Sequence, residues 1–193
     1  MRKSRVAAFV VLVAAICFAT CVLAQTKDDT AAVRIKKTEP RSMATMRHKG
    51  PYTDFATVVA KLMAEVQKGG YLTAGPISCL FYNSPENTAQ KNLDWLVMVP
   101  VINPGPFAKP QYDQLGFQFS DVTNVAYIYH VGPYDKVNET YRVLFDWAKR
   151  NGYSISGYPV ETYWSDPNTT PKEKLVTEIC TPVDERRIAP AAR

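Results

Sequence analysis

The same pattern of residues occurs twice in this 193-residue chain, at a constant offset of 82 positions and without a gap. Glycine and proline recur at the same turn positions, which indicates that one backbone is built twice. The identical pairs include Ala44/Ala126, His48/His130, Gly50/Gly132, Pro51/Pro133, Tyr52/Tyr134, Leu62/Leu144, Gly70/Gly152, Tyr71/Tyr153, Gly75/Gly157, Pro85/Pro167, Thr88/Thr170, Leu93/Leu175, Pro100/Pro182 and Val101/Val183.

Each copy predicts a strand, a helix and two further strands. Apolar residues at helical spacing predict helices over about 52–68 and 134–150, and alternating or β-prone runs predict the strands. A single unit of about 60 residues would have a marginal core. We therefore expect one α+β domain of two tandem modules, related by a pseudo-twofold axis, with the helices on one side of the sheets. The predicted strands are 33–36, 43–48, 77–82, 93–101, 125–130, 159–164 and 175–181.

The N-terminus predicts a secretory signal peptide over 1–24. Basic residues precede an apolar run over 6–23, and small residues precede a cleavage point between Ala24 and Gln25. A retained membrane anchor and lipidation of Cys21 are the alternatives. The expected boundaries are a flexible lead-in over 25–32, repeat 1 over about 33–101, a proline-containing linker over 102–116, repeat 2 over about 117–183 and a tail over 184–193. This organisation predicts a protein that is exported to the periplasm or secreted, without stable membrane insertion after cleavage.

Charge and cysteine content narrow the classes of partner. Removing the three basic residues of the signal reduces the formal net charge from +5 to +2, and the chain has no long basic block. Nucleic acid is therefore not an expected partner. Cys79 and Cys180 remain after cleavage, and the sequence leaves open whether they form a disulfide or stay free.

A set of strings in the second half resembles the GyrI-like small-molecule-binding family. They are His-Val-Gly-Pro-Tyr at 130–134, Gly152-Tyr153, Glu161-Thr162-Tyr163, Pro167, and Thr177-Glu178-Ile179 through Pro182. That family includes effector-binding domains of AraC- and MerR-type transcription regulators, and the likeness covers about 33–183. It implies a ligand cleft between two modules on the sheet face away from the helices. It also implies that a strand glutamate, matched by Glu161, meets cationic or polar aromatic ligands.

Strand alternation suggests which side chains share that cleft. Glu161 and Tyr163 lie on one face of their strand, and Tyr127 and Tyr129 lie on one face of theirs. Ala126 and Ile128 suit a helix-packed side, so the tyrosines are assigned to the cleft. The offset between the copies adds Arg47, Cys79 and Phe81 from the first repeat, together with Thr45, and Glu178 is expected roughly opposite Glu161. The candidate ligand-binding residues are thus Glu161, Tyr163, Tyr127, Tyr129, Glu178, Cys79, Phe81 and Arg47.

Metal, cofactor and catalytic roles are not expected, with two alternatives kept. His48 and His130 have no third ligand at metal-binding spacing and are explained by the repeat. Haem binding, as in SOUL proteins of the same duplicated fold, and hydrolysis of reactive small molecules with Glu161 positioning water are the alternatives. The sequence leaves the oligomeric state open.

Overall fold

The computed structural model describes residues 32–102 and 115–185. Within these ranges the structure has two helices and ten strands, and the two predicted helices and seven predicted strands occur in the predicted order. The helices are α1 (Phe55–Lys68) and α2 (Val137–Arg150). The strands are β1 (Arg34–Lys37), β2 (Arg41–Lys49), β3 (Leu72–Thr73), β4 (Ser78–Phe81), β5 (Asp94–Ile102), β6 (Gly116–Ser120), β7 (Asn124–Val131), β8 (Tyr153–Ile155), β9 (Val160–Tyr163) and β10 (Val176–Glu185). Short 3₁₀ turns at Tyr52–Asp54, Gln90–Asn92, Tyr134–Lys136 and Lys172–Lys174 complete them.

The strands form one antiparallel sheet in the order β1-β7-β10-β9-β4-β5-β2-β6, with β3 paired to β5 and β8 to β10. The α+β fold of two duplicated modules is therefore confirmed. The repeats meet where β4 pairs with β9, and there Cys79 stands directly opposite Glu161. Since these two residues occupy equivalent positions in the two copies, the pseudo-twofold axis passes between them.

The first strands of the two repeats are exchanged. β1 pairs with β7 of the second repeat, and β6 pairs with β2 of the first. Arg34 and Gly116, which open these strands, are also equivalent positions of the two copies. Each repeat thus completes the sheet of the other, which explains why neither module needs an isolated core.

Both helices pack on one face of the sheet, called here the helix face. α1 buries Val58, Leu62 and Val66, and α2 buries Leu144 and Ala148. The prediction that Ala126 and Ile128 face the second helix is confirmed, since they lie in one buried cluster with Leu144, Ile179 and Val183.

Both helices are followed by a left-handed glycine that lets the chain turn back to the sheet. Gly70 has φ 71° and Gly152 has φ 78°, a conformation that glycine adopts without steric cost. Glycine therefore recurs at both positions because the backbone there is left-handed.

Three strands and one boundary were not predicted. β3, β6 and β8 were missed, and β10 continues to Glu185, into the segment expected to be a tail. The signal peptide and most of the predicted linker and tail lie outside the described residues. Within 32–102 and 115–185, neither helix has the length and apolar character needed to cross a bilayer.

Candidate functional site

A buried carboxylate lies at the centre of the helix face. Glu161 is 7% exposed and stands between Cys79 of β4 and Ile179 of β10. Strand β9 places it there because residues opposite one another in an antiparallel pair share a face. Glu161 therefore projects into the space between α1 and α2.

Two tyrosine hydroxyls hold this carboxylate. Tyr141 of α2 donates to Glu161 Oε1 and Tyr163 of β9 donates to Glu161 Oε2, each at 2.9 Å. Within 32–102 and 115–185 no lysine, arginine or histidine forms an ion pair with Glu161. The described hydrogen-bond partners of this buried carboxyl group are thus neutral donors.

The protonation states follow from burial and from these hydrogen bonds. Burial raises the pKa of Glu161 above its ordinary value, while the hydrogen bonds from Tyr141 and Tyr163 oppose that rise. Burial, followed by the nearby carboxylate, raises the pKa of both tyrosines well above 10. The phenols therefore stay protonated and remain donors.

Aromatic rings from both repeats line the same place. The ring of Tyr163 lies 5.2 Å from that of Phe55 in α1 and 5.6 Å from that of Tyr134, which precedes α2. Tyr134 is 38% exposed and marks the solvent side. We call Glu161, Tyr141, Tyr163, Tyr134 and Phe55 the Glu161 site.

The sequence interpretation missed Tyr141, Tyr134 and Phe55 as members of the site. Tyr141 and Phe55 stand at helical spacing among apolar residues, where an aromatic ring is usually a core residue. The available signal was the contrast between copies, because the equivalent of Tyr141 is Val59.

The prediction of a single cleft on the face away from the helices is wrong for half of its residues. Glu161, Tyr163, Cys79 and Phe81 lie on the helix face, where Cys79 joins the core cluster of α1 and Phe81 and Tyr163 pack against it. Tyr127, Tyr129, Glu178 and Arg47, with Thr45, lie on the opposite face, called here the open face. The register explains this separation, because Glu161 stands opposite Ile179 and not opposite Glu178.

Arg47 belongs to an ion pair on the open face. Its Nε and Nη2 donate to the two carboxylate oxygens of Asp94, each at 2.7 Å, and its guanidinium lies 4.4 Å from the Tyr82 ring centroid. The hydrogen bond from Arg47 lowers the pKa of Asp94. The Tyr82 ring in turn contacts Tyr158 at 5.0 Å.

The histidines and cysteines have local surroundings. His48 Nε2 lies 2.9 Å from Asp54 Oδ2, and His130 Nδ1 lies 2.8 Å from Thr140 Oγ1. Cys79 and Cys180 are free thiols on opposite faces of the sheet, and burial raises the pKa of Cys180 to about 12. No group of three His, Cys, Asp or Glu side chains with metal-binding geometry occurs in the described part of the chain.

A separate depression of about 640 Å³ lies beside the C-terminal half of α1. Its lining comes from α1, the turn after it and β3, and includes Met63, Gly70, Tyr71 and Leu72. It shares no residue with the Glu161 site. The Glu161 site and this depression are therefore two separate features of the molecule.

Comparison with protein families identifies the class. The model of the GyrI-like small-molecule-binding domain matches residues 31–184 and, in a second placement, residues 12–102. Residue 102, where the shorter match ends, corresponds through the offset of 82 to residue 184, where the longer match ends. The two matches thus agree with the internal duplication. The chain belongs to the GyrI-like small-molecule-binding domain family.

Solved structures share the fold at low sequence identity. The C-terminal domain of EcmrR is 21% identical, with a TM-score of 0.70 over 80% of this chain and 98% of that one. A hydrolase from Listeria innocua is 13% identical, with a TM-score of 0.65 over 80% and 93%. SAV2435 bound to tetraphenylphosphonium is 14% identical, with a TM-score of 0.51 over 79% and 94%. No curated protein sequence is significantly similar to the chain.

Proposed function

We propose that this protein binds an organic cation, or a strongly polar aromatic molecule, between the two repeats, with Glu161 as the group that recognises it. The observation that carries the proposal is the buried carboxylate whose described hydrogen-bond partners are two neutral phenols. A buried carboxylate without a counter-charge is costly, and a cationic ligand removes that cost. The family is one of small-molecule-binding domains, in agreement with this role.

The aromatic rings around Glu161 suit the same class of ligand. The faces of Tyr163, Tyr134 and Phe55 add cation–π attraction of about 0.5–2 kcal/mol for each ring in contact. They also give an aromatic ligand surfaces on which to stack. SAV2435, which shares the fold, was solved with tetraphenylphosphonium, a cation that carries four phenyl groups.

Entry of a ligand requires a side chain to move. Glu161 is 7% exposed and Tyr141 covers one of its oxygens, whereas Tyr134 is 38% exposed. A cation that pairs with the carboxylate replaces the Tyr141 hydroxyl, and the displaced phenol turns towards solvent. The measured binding free energy therefore equals the attraction of the cation to the carboxylate minus the free energy lost when the Tyr141 hydrogen bond breaks.

Calorimetry with tetraphenylphosphonium tests the proposal. Glu161→Gln preserves shape but removes the charge, and we expect it to weaken binding by about 1–3 kcal/mol, as for the Coulomb attraction of two charges about 6 Å or more apart in a partly buried site. Glu173→Gln removes the same charge from an exposed turn and is the matched control. Equal affinity of wild type and Glu161→Gln would assign recognition to the aromatic rings alone.

We also propose that the protein acts outside the cytoplasm. The basic start, the apolar run over 6–23 and the Ala24–Gln25 junction support export. The intact mass of the exported product tests this, with Gln25 expected as the first residue. A mass that includes residues 1–24, or a lipid on Cys21, would contradict it.

A further inference from the structure

The open face carries a second buried carboxylate that the Glu161 site does not use. Glu178 is 4% exposed and lies in β10 between Tyr129 of β7 and Thr162 of β9. Because successive strand residues alternate between faces, Glu178 projects away from Ile179 and from Glu161. The two carboxylates therefore face different surroundings across the sheet.

Only one oxygen of Glu178 has a hydrogen-bond partner among the described residues. Lys36 Nζ donates to Glu178 Oε1 at 2.6 Å and lies 4.4 Å from the centroid of the Tyr127 ring. Glu178 Oε2 is buried and has no such partner in the same part of the chain. Burial, the charge of Glu178 and an interaction of the Tyr129 hydroxyl with that carboxylate raise the pKa of Tyr129 to about 12, although the hydroxyl does not reach Oε2 with hydrogen-bond geometry. A buried acceptor without a donor is unfavourable, so this atom favours a bound donor.

The surroundings of Oε2 offer both aromatic and apolar contact. Trp164 is 53% exposed and follows Thr162 by two positions, so it lies on the same face. The hydroxyls of Thr162 and Ser78 are 2.9 Å apart. An apolar cluster on the open face comprises Met43, Leu96 and Met98, which are buried, and Leu80, Tyr82 and Val160, which are partly buried. The exposed Trp164 and the partly buried members of this cluster give a flat apolar molecule a surface near the carboxylate.

The charge of the ligand follows from Lys36. The ammonium already compensates Glu178, so a second cation would have no uncompensated charge to meet. A neutral donor satisfies Oε2 and adds no buried charge. The Glu161 site differs, because there no basic side chain within the described residues pairs with the carboxylate.

We propose that the open face holds a second binding site, centred on Glu178, for a neutral aromatic molecule that presents a hydroxyl or amide N–H. The donor bonds Oε2, and the rings of Trp164 and Tyr129 flank the molecule. The site is independent of the cation site on the helix face.

A pair of probes that differ only in the donor tests this. Dissociation constants for 2-naphthol and 2-methoxynaphthalene are measured on the full chain by ligand-observed NMR. We expect wild type to bind 2-naphthol about tenfold more tightly, as for a hydrogen bond to a charged group. Glu178→Met removes the acceptor and should abolish that preference, whereas Glu173→Gln, at an exposed turn away from both sites, should preserve it. Equal binding of the two probes by wild type, or a preference that survives Glu178→Met, would overturn the proposal.

A second variant decides the matter if Glu178→Met does not fold. Lys36→Met leaves the carboxylate without its ammonium, and Lys36 lies on a partly exposed strand at the sheet edge. In the Glu161→Gln background, where the cation site is weakened, the preference should then shift about tenfold from 2-naphthol towards (2-naphthyl)trimethylammonium, because the unpaired carboxylate attracts the cation by its charge. An unchanged ratio of the two affinities would contradict the assignment of Glu178 as the recognising group. Because both variants change the open face, their failure leaves the Glu161 proposal intact.

Discussion

The two repeats share a backbone but fill its centre with different chemistry. In the first repeat, Trp95 is fully buried, its indole N–H donates to the Gly50 carbonyl at 3.0 Å, and its ring contacts those of His48, Tyr52 and Phe55. In the second repeat, the equivalent residue is Thr177. Its hydroxyl is buried and has no hydrogen-bond partner among the described residues.

At two further positions an apolar or weakly polar residue of the first repeat is replaced by a more polar one in the second. The first repeat has Val59 and Cys79 where the second has Tyr141 and Glu161. The first repeat is thus an apolar and aromatic core, while the second contains a carboxylate, phenols and a buried hydroxyl without a described partner. One copy contributes the aromatic core and the other contributes the buried carboxylate of the proposed recognition site, a division that a duplicated fold permits at little cost to the whole domain.

The largest expected effect comes from a substitution in the aromatic core of the first repeat. Trp95→Ala removes a fully buried indole and should lower the free energy of unfolding by about 4 kcal/mol, from lost burial and an unfilled cavity. Denaturant unfolding monitored by circular dichroism measures the loss. Trp147→Ala, at a half-buried indole stacked on Tyr153, is the control and should cost less. A smaller loss for Trp95→Ala than for Trp147→Ala would contradict the assignment of the core.

A smaller effect concerns the stability cost of the site. Because burial raises the pKa of Glu161, the folded protein holds that proton more tightly than the unfolded chain, and stability falls as the pH rises through the raised pKa. Glu161→Gln removes this dependence and should raise the free energy of unfolding by about 1 kcal/mol at pH 7. The advantage should vanish below the ordinary value of 4.5. Denaturant unfolding at several pH values provides the measurement, and a variant less stable than wild type at pH 7 would show that the carboxylate stabilises the fold.

The smallest effect compares two buried threonines of β10. Thr177→Val removes a hydroxyl without a hydrogen-bond partner among the described residues and should stabilise the protein by about 0.5 kcal/mol. Thr181→Val removes a hydroxyl that donates to the Gly157 carbonyl at 3.3 Å and should destabilise it by about 1 kcal/mol. Thermal unfolding of the two variants resolves the difference. Equal changes of the same sign would mean that the Thr177 hydroxyl has a partner in solution.

The fold was predictable because the same turns occur twice. Glycine and proline at equivalent positions of the two copies indicated where the helices and the main strands begin and end. β6 escaped prediction because it follows a proline-containing stretch that is typical of a linker. The exchange of β1 and β6 between repeats depends on long-range pairing, which local patterns do not encode.

The site was only partly predictable. Alternation correctly placed Glu161 with Tyr163, and Tyr127 with Tyr129, on common faces of their strands. It does not determine which faces of two different strands coincide, because that depends on the register between them. The register supplies this relation. Ile179 stands opposite Ile128 on one side and opposite Glu161 on the other, so the carboxylate shares the helix face with these two buried isoleucines.

The pH dependence of cation binding tests the central claim most directly, namely that the charge of Glu161 recognises the ligand. The affinity of wild type for tetraphenylphosphonium should fall as the pH is lowered through the raised pKa of Glu161, because protonation removes the charge. The affinity of Glu161→Gln should be lower at pH 7 and flat over the same range. If wild type and Glu161→Gln showed the same affinity at every pH, the carboxylate would not be the recognising group.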